Sequence, residues 1–269
     1  MNLIPASQKE KLSSYRKLRS LYEQNINVNS ISEILETCNL TDDALRTKNY
    51  MLSKDYDVIG VEDGGIIIGY VLRVELKDEG SCNDYYRNFS PIEIVSEATP
   101  LIQALNILKE SERIFILEGN RVTKVVTLAD LQKQPIRMLL FGLISLLEMQ
   151  LNRIIKEYFP NNTWQNHLHS KRLEYAQNLF LDRKSRNEAI ELSDCLQICD
   201  KREIIVNEVK LRELLEIETK KKGNVFFKEL EKLRNNLAHS QDLNTSSSWN
   251  ELFNLIQQIE AYLERCEQI

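Results

Sequence analysis

The sequence predicts an α+β protein of two domains, a module of β-α-β-β-α repeats followed by an all-α helical bundle. Three observations predict it. Two stretches about 55 residues apart share one plan, a pair of apolar runs broken at a Gly-containing turn. Gln134-Pro135 then marks a boundary, and beyond it apolar residues recur at helical spacing. With only 8 Gly and 5 Pro in 269 residues, turns are few, which suits a helix-rich chain. The expected division is 1–27 as an N-terminal helix, 28–134 as the repeat module and 135–269 as the bundle.

Residues 7–24 place Leu12, Tyr15, Leu18 and Tyr22 on one stripe, so they read as an amphipathic helix that the polar run 25–29 ends. Helical stretches over about 41–53 and 99–110 each precede a pair of β-rich runs: 58–76 about a Gly-Gly turn, and 114–131 about Gly119-Asn120. Asp-Gly and Gly-Asn steps tolerate positive φ, so both pairs read as hairpins, each leading into a short helix. One such unit leaves an apolar face uncovered; two side by side can bury it.

Proline lacks an amide hydrogen and suits the first turn of a helix, so Pro135 opens the bundle. Helices are predicted over 136–158, 171–180, 186–199, 209–221, 224–239 and 247–266, punctuated by 161–163, Gly223 and the polar run 242–248. Residues 138–147 are uncharged, but a bilayer span needs about 20 such residues. They are expected in the core, and no membrane partner is implied.

Composition narrows the function. Residues 1–11 lack the basic-then-apolar-then-small pattern of a signal peptide. Cys38, Cys82, Cys195, Cys199 and Cys266 make an odd count, so reduced thiols and a cytosolic location are expected. Cys195 and Cys199 have no second pair or nearby His to complete a zinc quartet, so no metal is expected. Residues 136–269 hold 19 Lys+Arg against 20 Asp+Glu, and 1–135 hold 16 against 20, within a net charge of −5. A duplex-DNA binder needs a strongly basic face, whereas single-stranded RNA needs only a local cluster. RNA stays open; duplex DNA is not expected.

The second hairpin ends on Lys124-Val125-Val126-Thr127-Leu128-Ala129-Asp130. This run and the repeat resemble the tandem CBS (cystathionine-β-synthase-type) module over about 28–133, a family that commonly senses adenosine nucleotides. The resemblance implies that Thr127 and Asp130 contact phosphate and ribose of a regulatory AMP, ADP or ATP. Lys124 stands where the family has glycine, and Leu72 and Glu75 stand where the first copy needs Thr and Asp, so one site is expected to survive. Thr followed by Asp three residues on is equally a helix start, Thr as N-cap and Asp as first-turn acid. Both readings stand at this point.

The chemical motif lies in Leu233-Arg234-Asn235-Asn236-Leu237-Ala238-His239. Phe226, Leu230, Leu233 and Leu237 define the buried stripe of this helix, and Arg234, Asn235 and His239 lie off it. An imidazole serves as acid or base near neutral pH, a guanidinium grips phosphate with a planar fork, and an amide orients either. Metal-free RNA cleavage needs those functions. The motif resembles the HEPN superfamily, whose ribonucleases carry Arg, a polar residue and a His four to six residues on. The resemblance implies a composite site across a homodimer with Arg234, Asn235 and His239 catalytic, a 2′,3′-cyclic phosphate product, and a setting in stress response or phage defence, as in toxins. Gln241 stands where some members carry an adenylylated Tyr, so that control is not expected.

Other candidates are weaker. His167 and His169 lack further ligands, Lys220-Lys221-Lys222 and Arg183, Lys184 and Arg186 are charge runs that could grip phosphates, and Trp164 and Trp249 have no aromatic neighbours. Two function classes therefore compete. One is a nucleotide-regulated endoribonuclease that needs no cofactor for catalysis; the other is a non-catalytic nucleotide-sensing scaffold.

Overall fold

The computed structural model describes residues 13–243 and 248–269. They form two compact units: Leu21–Pro135, and the described residues up to Ser20 with Ile136–Ile269. Helix α1 (Ser14–Gln24) buries Tyr15 and Tyr22. The part of the expected 7–24 helix that includes Leu12 lies outside the described residues.

In the first unit, β1 (Glu33–Ile34), β2 (Thr37–Asn39), α2 (Ala44–Lys54), β3 (Val58–Asp63) and β4 (Ile66–Leu72) make the first copy. After β5 (Arg87–Asn88) come β6 (Ile94–Ser96), α3 (Leu101–Ser111), β7 (Arg113–Glu118) and β8 (Arg121–Thr127), the second copy. The sheets run β2-β3-β4-β5 and β1-β8-β7-β6. In each, the strand before the helix pairs parallel with the strand after it, and the hairpin follows antiparallel. The repeat extends to detail: the ladder shifts between Val61 and Glu62 in one hairpin and between Ile116 and Leu117 in the other, 55 residues on. Gly64 and Gly65 both have positive φ, and Gly119 does so in the second turn, the conformations that tight hairpins demand.

The copies share a core. Leu35, Val58, Tyr70 and Leu72 meet Phe115, Val122 and Val125 in one buried cluster, with Tyr70 and Phe115 rings 4.7 Å apart. A second cluster, which includes Cys38, Met51, Val71 and Cys82, fills the first copy. The units are not β-α-β-β-α throughout. The second copy closes with a 3-10 turn, Leu128–Gln132, and the first with only a hydrogen-bonded turn over 73–75, where Glu75 N and Leu76 N donate to Leu72 O. Leu72 offers no side-chain oxygen to cap a helix, whereas Thr127 does.

The second unit is helical: α4 (Gln134–Tyr158), α5 (Ser170–Ser185), α6 (Ile198–Asn207), α7 (Val209–Leu214), α8 (Lys220–Ala238) and α9 (Trp249–Gln268). By length and composition alone α4 could cross a membrane; here it buries Leu139, Leu140, Leu143, Ile144 and Leu147 and exposes Met138, Phe141 and Met149. Gly142 lets Leu18 of α1 approach, since a β-carbon there would lie 3.1 Å from its Cδ2.

Three expected helices change. Residues 186–199 are mostly not helical: Asn187 takes positive φ, and a 3-10 turn (Leu192–Cys195) precedes α6. There Asp200, buried against the Arg172 guanidinium, accepts from the Gln197 amide and starts the helix. The helix expected over 209–221 stops at Leu214, because Glu216 turns left-handed and Thr219 caps a new helix through Lys222 N. Gly223 does not break that helix. It lies buried inside α8, where a β-carbon would sit 3.0 Å from Val206 and from Ile217.

Gly69 carries the tightest packing in the repeat unit, since a β-carbon there would fall 2.2 Å from Arg87 O and from the Tyr86 ring. Gly69→Ala is expected to cost about 1–3 kcal/mol by overpacking, read as a lower urea midpoint at unchanged slope. An unaltered midpoint would contradict the seating of β4 on β5.

Candidate functional site

Helix α8 presents the motif. Thr219 caps its start, and Phe226, Phe227, Leu230 and Leu233 pin one face inward, each contributing roughly 1.5–3 kcal/mol on burial. Arg234 and Asn235 are thereby turned outward and exposed. Arg234 Nη1 donates to Asn235 Oδ1 at 3.5 Å. Its Nε lies 3.9 Å from Glu148 Oε1 of α4, and the other Glu148 oxygen lies 3.6 Å from Lys201 Nζ. Burial pushes the Lys201 ammonium down, against the pull of Glu148.

A cleft of 460 Å³ opens here, with Glu148, Asp194, Gln197, Glu231, Arg234 and Asn235 on its wall. Asp194 is held by Lys156 Nζ at 2.9 Å, Asn152 Nδ2 at 2.8 Å and the Glu191 amide at 2.8 Å. Burial alone would raise its carboxyl pKa; the Glu191 amide and Lys156 together bring it below the usual range. With Asp194 and Glu148 each facing a lysine, Glu231 and Arg234 are left to set the balance of the wall. It is near neutral rather than basic.

His239 does not line this cleft. It is the C-cap of α8, exposed, and its ring makes no hydrogen bond to a described residue. Its place is fixed by the backbone. Ser240 turns left-handed (φ 53), Gln241 N donates to Asn236 O at 2.9 Å, and Ser240 N donates to Leu237 O at 3.4 Å, a Schellman ending. Arg137 of α4 clamps that ending, donating to Asn236 O at 3.1 Å and Gln241 O at 3.0 Å. Buried Asn236 donates to Asp242 O at 3.3 Å. So Arg234 and Asn235 come together, while His239 stands one turn on. Sequence reasoning missed Arg137, Asn236, Glu148 and Lys201. Buried Asn236 sits within the motif, but nothing in the sequence pairs it with an Arg about 100 residues away.

The charge runs are largely occupied. Arg183 pairs with Glu188 at 2.7 Å, Arg186 with Asp182 at 2.9 Å, and Lys184 lies over the Phe180 ring. Trp164 is buried and donates to Asn162 Oδ1 at 3.1 Å. Among the described residues no three of His, Cys, Asp and Glu are grouped to hold a metal.

In the repeat unit, Thr127 and Asp130 form a capping box. The Asp130 carboxylate accepts from Thr127 N at 2.7 Å, with Thr127 Oγ1 at 3.2 Å, and the Thr127 side chain accepts from the turn's backbone. The other Asp130 oxygen meets Lys133 Nζ at 2.7 Å, and Lys133 also reaches Glu33 at 3.0 Å and Ile31 O at 2.7 Å. Burial would lower the Lys133 pKa, but the Asp130 and Glu33 carboxylates raise it. Thr127 and Asp130 are therefore brought together and fill the capping role; they also edge a 200 Å³ cavity with Glu33, Glu36, Asp55 and Asp57. Five carboxylates face one ammonium, Lys133, although Arg73 offsets Asp55 and Asp57 from outside. Ribose hydroxyls suit such a lining; phosphates are repelled. In the first copy Glu75 is spent on Arg87, and Leu72 is buried.

No protein-family model matches the chain, and no curated protein does. Solved structures similar to its N-terminal ~40% are CBS domain proteins. CBSX2 in complex with AMP is 15% identical and covers 39% of this chain and 91% of its own, with a TM-score of 0.35. A conserved CBS domain protein from Thermoplasma acidophilum is 20% identical over 43% of this chain and 75% of its own, TM-score 0.35. The CBS domain of a membrane protein from Sphaerobacter thermophilus is 11% identical over 44% and 91%, TM-score 0.36.

Ser240 spends its place in the left-handed region without the freedom of glycine. Ser240→Gly is expected to stabilise the helical unit by about 0.5–1 kcal/mol, measured by thermal melting. A lower melting point would contradict the Schellman ending.

Proposed function

We propose that this chain is a metal-independent endoribonuclease of HEPN type, acting as a homodimer on single-stranded RNA and regulated by an adenine nucleotide in its CBS-like module. The observation that carries the proposal is the end of α8: an exposed guanidinium and amide in hydrogen-bond contact, followed one turn later by an exposed imidazole on a clamped backbone.

The chemistry follows from those groups. Arg234 grips the scissile phosphate and neutralises charge as the phosphorane forms. Asn235 orients that guanidinium or a phosphate oxygen. His239 moves the proton, as base at the 2′-hydroxyl or acid at the leaving 5′-oxygen. One chain supplies a single such imidazole and the reaction has two proton transfers, so a second copy completes the site. The exposed Met138, Phe141 and Met149 of α4, the helix that carries Glu148, support self-association.

In the CBS-like module, Asp130 accepts from ribose and Thr127 contacts phosphate, with Lys133 as the counter-charge that offsets the repulsion of the acidic lining. Nucleotide binding would shift the dimer between productive and unproductive arrangements by no more than its difference in affinity for the two. A cytosolic toxin-like role in stress response or phage defence is the setting this proposes.

Purified protein incubated with end-labelled single-stranded RNA in EDTA, with and without AMP or ATP, tests the proposal. Cleavage is expected to survive EDTA, to fall about 10²–10⁴-fold in His239→Ala and about 10²–10³-fold in Arg234→Ala. A folded protein that binds nucleotide yet cleaves nothing under any of these conditions is the non-catalytic sensor scaffold instead.

A further inference from the structure

We propose that the cleft beside Arg234 is a guanine subsite, in which Glu231 and Asn235 read the base of the nucleotide whose 2′-hydroxyl attacks. The inference rests on the ribonuclease reading and names the base that the enzyme selects.

The geometry begins with the helix. Glu231 and Asn235 are four residues apart on α8, so they stand on one face, one turn apart, with β-carbons about 5–6 Å from each other. Both line the 460 Å³ cleft, as does Arg234, three residues after Glu231. That size lies within the range of about 300–1,000 Å³ that small-molecule sites occupy. Leu179, Leu196 and Ile198 supply apolar lining, and the last two are buried. A flat base can lie against such a surface with its polar edge turned to α8.

The polar groups of the wall are not equally available. Asp194 and Glu148 each face a lysine. Gln197 accepts from Arg172 Nη2 at 2.9 Å, and its amide donates to the Tyr175 hydroxyl at 3.4 Å. Glu231 is half-buried, yet its carboxylate makes no hydrogen bond or ion pair with another described residue. Asn235 gives its Oδ1 to Arg234, which leaves both hydrogens of Nδ2 without a described partner. A partly buried polar group with no protein partner is one that a ligand can satisfy. The cleft therefore presents an amide donor beside a two-oxygen acceptor.

Guanine matches that pair best. Its Watson–Crick edge carries O6, N1–H and the N2 amino group in a row, an acceptor followed by two donors. Asn235 Nδ2 donates to O6, while the two Glu231 oxygens accept from N1–H and N2–H. Adenine, cytosine and uracil each offer the carboxylate one donor on that edge, so they make two bonds at most. Uracil also turns its O2 toward the second carboxylate oxygen. Guanine is uncharged, which suits a near-neutral wall, and Arg234 beside Asn235 receives the phosphate of the same nucleotide. Holding the base fixes the ribose, and the ribose carries the attacking hydroxyl.

The test uses full-length protein in EDTA with single-stranded RNA of mixed sequence, the cut sites being mapped by sequencing the product ends. Cuts are expected to follow guanosine at least about 10-fold more often than any other nucleoside. Inosine at a mapped site lacks the N2 amino group and is expected to slow that cut about 10-fold. Glu231→Gln keeps the side chain's size but places an amide donor where guanine also donates. It is expected to lower the ratio of cutting after guanosine to cutting after adenosine by about 10–100-fold. The inosine comparison on unmutated protein decides the matter if that variant fails to fold. Equal cutting after all four nucleosides, or preference for another base, would overturn the subsite and leave the ribonuclease reading in place. So would a guanosine preference that inosine or folded Glu231→Gln leaves intact. No cutting after any nucleoside would overturn the ribonuclease reading, and the subsite with it.

Discussion

The carbonyls at the end of a helix must find partners, and at the end of α8 they find them in Arg137 and in the turn itself. Two guanidinium donors take Asn236 O and Gln241 O, and the left-handed Ser240 lets Gln241 N return to Asn236 O. Without that closure the last turn would fray into solvent. With it, His239 is exposed yet carried on backbone that cannot wander. A proton-transfer group needs both properties, because an imidazole sunk in the core would be out of reach of substrate and one on a loose tail would seldom be in position. Arg234 and Asn235 lie on α8 and His239 caps it, while Arg137 and Glu148 of α4 brace them, so these two helices carry the three groups that the proposed chemistry uses.

The repeat module answers a different constraint. Each hairpin has one apolar face too many, and Tyr70 against Phe115 is where the two copies cover each other. That solution repeats strand pairing and bulges 55 residues apart, but it leaves the copies free to diverge at their ends. Thr127 and Asp130 close the second copy by capping; Leu72 cannot close the first in the same way. Capping and ligand contact are compatible for Thr127 and Asp130, since a carboxylate accepts several bonds. The acidic wall beside them makes phosphate the costly part of any nucleotide held there.

Much of this was legible in the sequence, and the misses share a cause. Gly64, Gly65 and Gly119 announced their turns because positive φ is a local demand. The stripe Phe226, Leu230, Leu233 announced a helix and therefore the outward direction of Arg234 and Asn235. The false helix over 186–199 carried enough apolar residues to look periodic, while its real organisation depends on Asp200 meeting Arg172, a pairing between segments. Gly223 read as a stop because close packing against Val206 and Ile217 has no local signature. Arg137, Glu148 and Lys201 escaped for the same reason: each acts on α8 or its cleft from elsewhere in the chain. Local rules found the motif, and only the tertiary structure found what holds it.

In the proposed metal-free cleavage the 2′-hydroxyl is the nucleophile, and substrate chemistry can remove it one position at a time. The direct measurement is cleavage in EDTA of a single-stranded RNA carrying one 2′-deoxy nucleotide at a mapped cut site, with mass analysis of the product ends. Loss of cleavage at that position alone, with 2′,3′-cyclic phosphate ends at the others, is the expected result. Unchanged cutting at the deoxy position, or product ends without a cyclic phosphate, would contradict it.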